Sequence, residues 1–105
     1  MVDEIEPEEL ESRIENGDPP QIIDIRNNEN FSQGHIPGAE NVPFPDLTQR
    51  IEEHDWTDDV VVVCPIGESS LQAARLIESY EGFDGDVANL KDGYRGWDYG
   101  LEKGE

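Results

Sequence analysis

Positive charge is what this chain has least of. Its 105 residues hold 7 Lys and Arg against 26 Asp and Glu, for a formal net charge of −19 and a pI near 4.1. A protein that grips nucleic acid does so first by its phosphates, and that attraction needs Lys and Arg. The same shortage argues against docking on an anionic membrane surface. Long apolar runs are missing too: the longest, Val60 to Cys64, is far short of the ~20 residues that cross a bilayer. The first fifteen residues are rich in acid and lack the basic start and apolar centre of a secretory leader, so the expected location is the cytoplasm. Cysteine occurs once, at Cys64, which excludes an intramolecular disulfide and any CxxC metal or redox pair. His35 and His54 stand nineteen positions apart, and this spacing gives no support for a metal site. No cofactor is expected. The P-loop and GxGxxG patterns are absent, and with them the common nucleotide-binding loops.

What is present suits a single folded domain over residues 1–105, with about 65% of the unfolded chain's surface buried in one modest core. Low hydrophobicity with high net charge is a signature of disorder, but the apolar residues here are clustered and periodic. The better reading is a folded domain in an acidic shell. Of the basic residues only Lys91 and Lys103 are lysine. Excess carboxylate with scarce Lys is the surface expected of a protein from a halophilic organism, the alternative being an ordinary acidic mesophilic protein. At about 1 M salt the Debye length falls to ~3 Å, so the excess charges hardly repel one another. The fold is therefore expected to loosen when salt is removed.

Short apolar runs alternate with helix-like stretches. Glu8 to Asn16 carries Leu10 and Ile14 at i, i+4, Pro7 suits a first turn, and Gly17-Asp18-Pro19-Pro20 ends the helix. Gln21 to Ile25 reads as a strand, Gly34 to Gly38 as a turn, and Asn41-Val42 as a short strand. Leu47 and Ile51 suggest a helix. Val60 to Val63 is the clearest strand: four β-branched residues without polar alternation, as expected of a strand buried on both faces in a parallel sheet. A helix follows from about Ser70, with Ala73, Leu76, Ile77 and Tyr80 on one face. Asp86 to Leu90 reads as a last strand and Tyr94 to Tyr99 as a last short helix. Strands alternating with helices predict an α/β fold with a mainly parallel sheet flanked by helices, its strand order open.

The chemistry belongs where the valine strand ends. Ligands of open α/β sheets bind beyond the carboxyl ends of strands, and the loop Cys64-Pro65-Ile66-Gly67-Glu68-Ser69 runs from that end into a helix N-terminus, which favours an anion. Gly67 can take a positive φ, letting the loop curl with its N–H groups inward. Ser69 with Gln72 fits a capping box. A thiol in such a cradle is expected to react as the thiolate; alternatively Cys64 is a small buried hydrophobe ending a strand.

Several segments together settle the resemblance. Ile23-Asp24-Ile25-Arg26, the stretch Phe31 to Pro43 with its Gly34-His35-Ile36-Pro37-Gly38-Ala39 core, the loop from Cys64 through Gly67 to Ser69-Ser70, then Asn89-Leu90 and Gly93 with Trp97 occur in the order and spacing of the rhodanese family. The chain resembles a single-domain rhodanese over nearly its whole length. That resemblance implies the rhodanese three-layer fold and sulfurtransfer: the Cys64 thiolate takes a sulfane sulfur from thiosulfate or a persulfide donor, becomes a persulfide, and yields it to cyanide, a thiol or a protein acceptor. Cys64 is then the nucleophile and sulfur carrier. The amides of Ile66, Gly67, Glu68 and Ser69 are expected to hold the anionic sulfur and the departing sulfite, with Ser69 and Ser70 donating to the carried sulfur or simply capping the helix. This mechanism needs amides facing inward and a thiol open to an approaching molecule.

The chain also departs from the family. Pro65 stands where many members have Arg, so a cation that could meet an anionic donor is missing, and Glu68 adds a carboxylate to the loop. Both count against thiosulfate as the natural donor. Asp92 replaces a glycine usual in the family, and Arg95 or Lys91 could supply the missing charge. Among supporting positions, Asp24 could accept from loop amides, from Arg26 or from a turn amide. Arg26 is expected to pair with an acid such as Glu29, and His35 to tie down its turn. His54 reads as a solvated helix end, Tyr94 and Trp97 as packing. The phosphatases that share the fold need an Arg six residues past the cysteine, and that residue here is Ser70. The competing reading is a non-catalytic rhodanese-like module that binds a protein or relays sulfur.

Overall fold

The valine run forms the centre of the molecule. The computed structural model describes residues 2–104. In chain order it contains β1 (Asp3–Ile5), α1 (Pro7–Glu15), β2 (Gln21–Asp24), α2 (Asn28–Gln33), β3 (Glu40–Asn41), α3 (Phe44–Arg50), a 3-10 turn at Ile51–Glu53, β4 (Asp59–Val63), α4 (Ser69–Ser79), β5 (Asp86–Leu90) and a 3-10 turn at Gly93–Gly96. The strands form one sheet in the order β1-β5-β4-β2-β3, and every pairing is parallel.

Because β4 lies in the middle, both its edges are paired and both its faces are covered, which is why Val60 to Val63, all buried, are uniformly apolar. Successive side chains point to opposite faces. Val60 and Val62 pack with Ile23, Ile25, Leu47 of α3, and Ala73, Ala74 and Ile77 of α4. Val61 and Val63 pack on the other face with Ile5, Ile22, Leu90, Trp97 and Leu10 of α1. The result is the three-layer α/β arrangement. In this register Asp24 lies opposite Val63 and Asn89 opposite Val62, so a polar side chain flanks the carboxyl end of β4 on each side.

Two elements appear for which no expectation was made, and two local expectations are corrected. β1 was not foreseen, because two of its three residues are exposed acids and only Ile5 is buried. α2 was not foreseen either: it is short and largely polar, and Asn27 starts it by accepting the Asn30 N–H at 2.8 Å. α4 begins at Ser69 itself, with Glu68 at the N-cap and no side-chain cap, so the Ser69–Gln72 capping box does not form. The final helix is only the 3-10 turn Gly93–Gly96. Among the described residues no helix is long and apolar enough to cross a membrane.

Candidate active site

Cys64 is the first residue after β4, and the chain must turn sharply to enter α4. Gly67 makes that turn with φ +88°. A second segment braces it from outside. The Tyr94 N–H donates to the Cys64 carbonyl and the Arg95 N–H to the Pro65 carbonyl, each at 2.9 Å. This close approach explains Gly93, whose φ is +56°: a Cβ there would lie 2.0 Å from the Cys64 carbonyl oxygen.

The sulfur sits in a ring of hydrogen bonds. The Gly67 N–H donates to Sγ at 3.0 Å. Sγ lies 3.2 Å from the Ser70 hydroxyl, Ser70 bonds Oδ1 of Asn89, and Asn89 Nδ2 donates to the Gly67 carbonyl at 3.1 Å. Ser70 is fully buried and Asn89 is 5% exposed. Of the four amides expected around the sulfur, that of Gly67 is in hydrogen-bond range. Ile66, Glu68 and Ser69 turn their side chains to solvent, and Ser69 is not bonded to the sulfur. The expected open thiol is a further correction: Cys64 is only 1% exposed and belongs to the apolar core on the α4 face. In this conformation the residue is shut off from solvent.

Asp24, on the other flank, is fully buried and serves a different purpose from the loop. It accepts the Arg26 main-chain N–H at 3.0 Å, the Arg26 guanidinium at 2.8–3.2 Å, and the Tyr94 hydroxyl at 2.7 Å. No loop amide reaches it. Arg26 thus pairs with Asp24 rather than Glu29, donates also to the Gly34 carbonyl at 2.7 Å, and lies over the Tyr94 ring at 3.8 Å. Burial, reinforced by the Asp24 charge, raises the Tyr94 phenol well above its ordinary pKa. Tyr94 therefore joins the cysteine loop, by its main chain, to the buried ion pair, by its side chain. It also accepts the Ile36 N–H at 3.0 Å, so it does more than pack.

His35 is remote in role from the sulfur. Its ring stacks on Phe31 at 3.8 Å, Nδ1 lies 2.9 Å from the Phe31 carbonyl, and its main chain exchanges two bonds with Glu102. It ties its turn to the C-terminal segment. His54 is not a solvated end: it bonds Glu40 at 3.0 Å and packs on Trp56. Lys91 lies 3.6 Å from Glu6, whereas Arg95 is exposed beside the loop. Asn89 and Tyr94 are the members of this arrangement whose bonding the residues did not disclose. The available signal for Asn89 was a polar side chain inside a strand that is otherwise apolar toward its end.

A sheet of this order with one cysteine at the turn after its central strand defines a class of α/β protein, and comparison assigns it. Residues 6–99 match the Rhodanese-like domain family, and the chain belongs to it. It is 42% identical over 77 residues to the thiosulfate sulfurtransferase GlpE of Shewanella oneidensis, covering 73% of this chain and 74% of that one. It is 29% identical to YrkF of Bacillus subtilis, named as a candidate sulfur carrier protein, over 91% of this chain but only 51% of the relative, so it spans about half of that protein's length. Among solved structures, a rhodanese-like domain protein from Staphylococcus aureus superposes with a TM-score of 0.84 at 27% identity, over 99% of this chain and all of that one.

Proposed function

We propose that this protein is a sulfurtransferase that carries a sulfane sulfur on Cys64 as a persulfide. The observation that supports it most is the placement of the one cysteine at the turn of a Gly67 loop whose main-chain N–H is aimed at Sγ. The Cys64 thiolate attacks the outer sulfur of thiosulfate; the new S–S bond forms as the old one breaks, and sulfite departs with the bonding pair. An acceptor such as cyanide then attacks the outer sulfur of the persulfide, and the thiolate is regenerated. The Gly67 amide stabilises charge on the sulfur at each stage. Ile66, Glu68 and Ser69 form the exposed rim that must move aside for a donor to reach the buried sulfur, and Ser70 lines the sulfur from within. Asp24 and Arg26 anchor the Tyr94 brace, and His35 ties its own turn to the C-terminal segment.

A second reading concerns the donor. Glu68 on the loop, Pro65 in place of a cation, and a net charge of −19 all oppose a small dianion. They favour a relay in which a partner protein delivers sulfur as a persulfide. Arg95 is the exposed cation beside the loop that would attract an anionic donor.

The test is intact mass after incubation with thiosulfate at high salt, and separately with a cysteine desulfurase and cysteine, for the native chain and Cys64→Ser. One added sulfur from thiosulfate in the native chain alone is the expected result for an enzyme using that donor. Sulfur from the desulfurase alone identifies the relay. No sulfur from either identifies a non-catalytic binding module and overturns the proposal.

A further inference from the structure

The ring around the sulfur obeys a donor count that assigns a task to Asn89. Its Nδ2 donates to the Gly67 carbonyl, and a carbonyl only accepts, so the amide's orientation is fixed. Oδ1 then faces the Ser70 hydroxyl, and Oδ1 too only accepts. A serine hydroxyl has one proton, and here it goes to Asn89. What Ser70 turns toward Sγ is therefore a lone pair, and the bond between them is donated by the thiol. Each link of the ring then has its hydrogen: Gly67 N–H to sulfur, S–H to Ser70, O–H to Asn89, and one Asn89 N–H to the Gly67 carbonyl. Such a closed ring favours the protonated thiol, since ionisation would leave two acceptors, thiolate and hydroxyl oxygen, face to face unless the hydroxyl turned away from Asn89.

We propose that Asn89 is a positioning residue that withholds the Ser70 proton from the sulfur, and so sets how much of Cys64 stands as thiolate before a donor arrives. This deepens the sulfurtransferase reading and rests on it for its purpose. The consequence is a carrier that rests closed and unreactive in the core and gains its second hydrogen-bond donor only when Ser70 turns.

The test is the pH profile of Cys64 alkylation by iodoacetamide, with folding checked by circular dichroism. Asn89→Leu frees the Ser70 proton for the thiolate, so alkylation at pH 7 is expected to rise about tenfold. The plateau at high pH, where the thiol is fully ionised, stays within about twofold, which separates thiolate content from access. In a Ser70→Ala background the gain from Asn89→Leu disappears. Asn89→Asp, an acceptor only, is expected to move the profile to higher pH.

Among the described residues, the ionisable groups on the segments around this site are Asp24 and Arg26 on the β2 side, Glu68 in the loop, and Lys91, Asp92, Tyr94 and Arg95 on the bracing segment; all are unchanged in these variants. An unmoved profile in folded Asn89→Leu, a shift to higher pH, or a gain that persists without Ser70 overturns the proposal. Should Asn89→Leu fail to fold, Ser70→Ala decides alone. Loss of the acceptor for S–H raises the rate at pH 7 about threefold, whereas loss of a donor to the thiolate would lower it. Alkylation needs no sulfur donor, so its outcome is independent of the sulfur-loading test above.

Discussion

Tyr94 shows how one residue serves two parts of the site. Its main chain holds the carbonyl of Cys64 and its hydroxyl donates to the buried carboxylate of Asp24. Replacing it with Phe removes a hydrogen bond to a charged acceptor and strands the Ile36 N–H, an expected loss of about 2 kcal/mol in denaturant unfolding at pH 7. The pH dependence has a definite sign. The phenol's pKa is raised in the folded state, so its contribution is complete below the unfolded value near pH ~10 and is lost as pH rises above it. Tyr94→Phe is expected to show a flatter alkaline decline than the native chain; equally steep declines would assign that loss to other groups. Gly93 is the other sensitive position. A methyl group there meets the Cys64 carbonyl at 2.0 Å with φ at +56°, so Gly93→Ala should cost at least ~3 kcal/mol and displace the cysteine loop. A native-like melting temperature would contradict this account of the brace.

At the scale of elements, legibility in the sequence followed the strength of the apolar pattern. β4 and β5 could be read to within a residue because they are interior strands whose side chains fill the core. β1, an edge strand with a single buried side chain, and α2, with Phe31 as its one buried residue, carry almost no periodic signal. The site divides the same way. Cys64 and Gly67 were marked by residue type and spacing, and the Asp24–Arg26 pair is local, two residues apart. The bonds of Ser70 to Asn89 and of Asp24 to Tyr94 instead depend on how distant segments meet, which places Asp24 and Asn89 beside β4 and which no local pattern encodes. α2 gives a test at this scale. It holds its start by one side-chain bond from Asn27, so Asn27→Ala is expected to lower stability by about 1 kcal/mol, measured by urea unfolding. No change would mean that the Phe31–His35 stack alone fixes the helix.

For the whole molecule, charge dominates. The acidic shell lies outside a core of ordinary β-branched and aliphatic packing, so its repulsion acts on stability rather than on architecture. We propose that the shell is an adaptation to concentrated salt, in which case the melting temperature should climb steadily from dilute buffer to molar KCl; equal melting in both would reject it. The central claim, that Cys64 accepts and surrenders a sulfane sulfur, is tested most directly by a single cycle at high salt. The protein is charged with a sulfur donor, freed of excess reagent, and mixed with cyanide while intact mass and thiocyanate are followed together. The account predicts one sulfur gained per chain and the same amount released as thiocyanate, with neither seen in Cys64→Ser. A chain that never gains the sulfur, or gains it without Cys64, contradicts it.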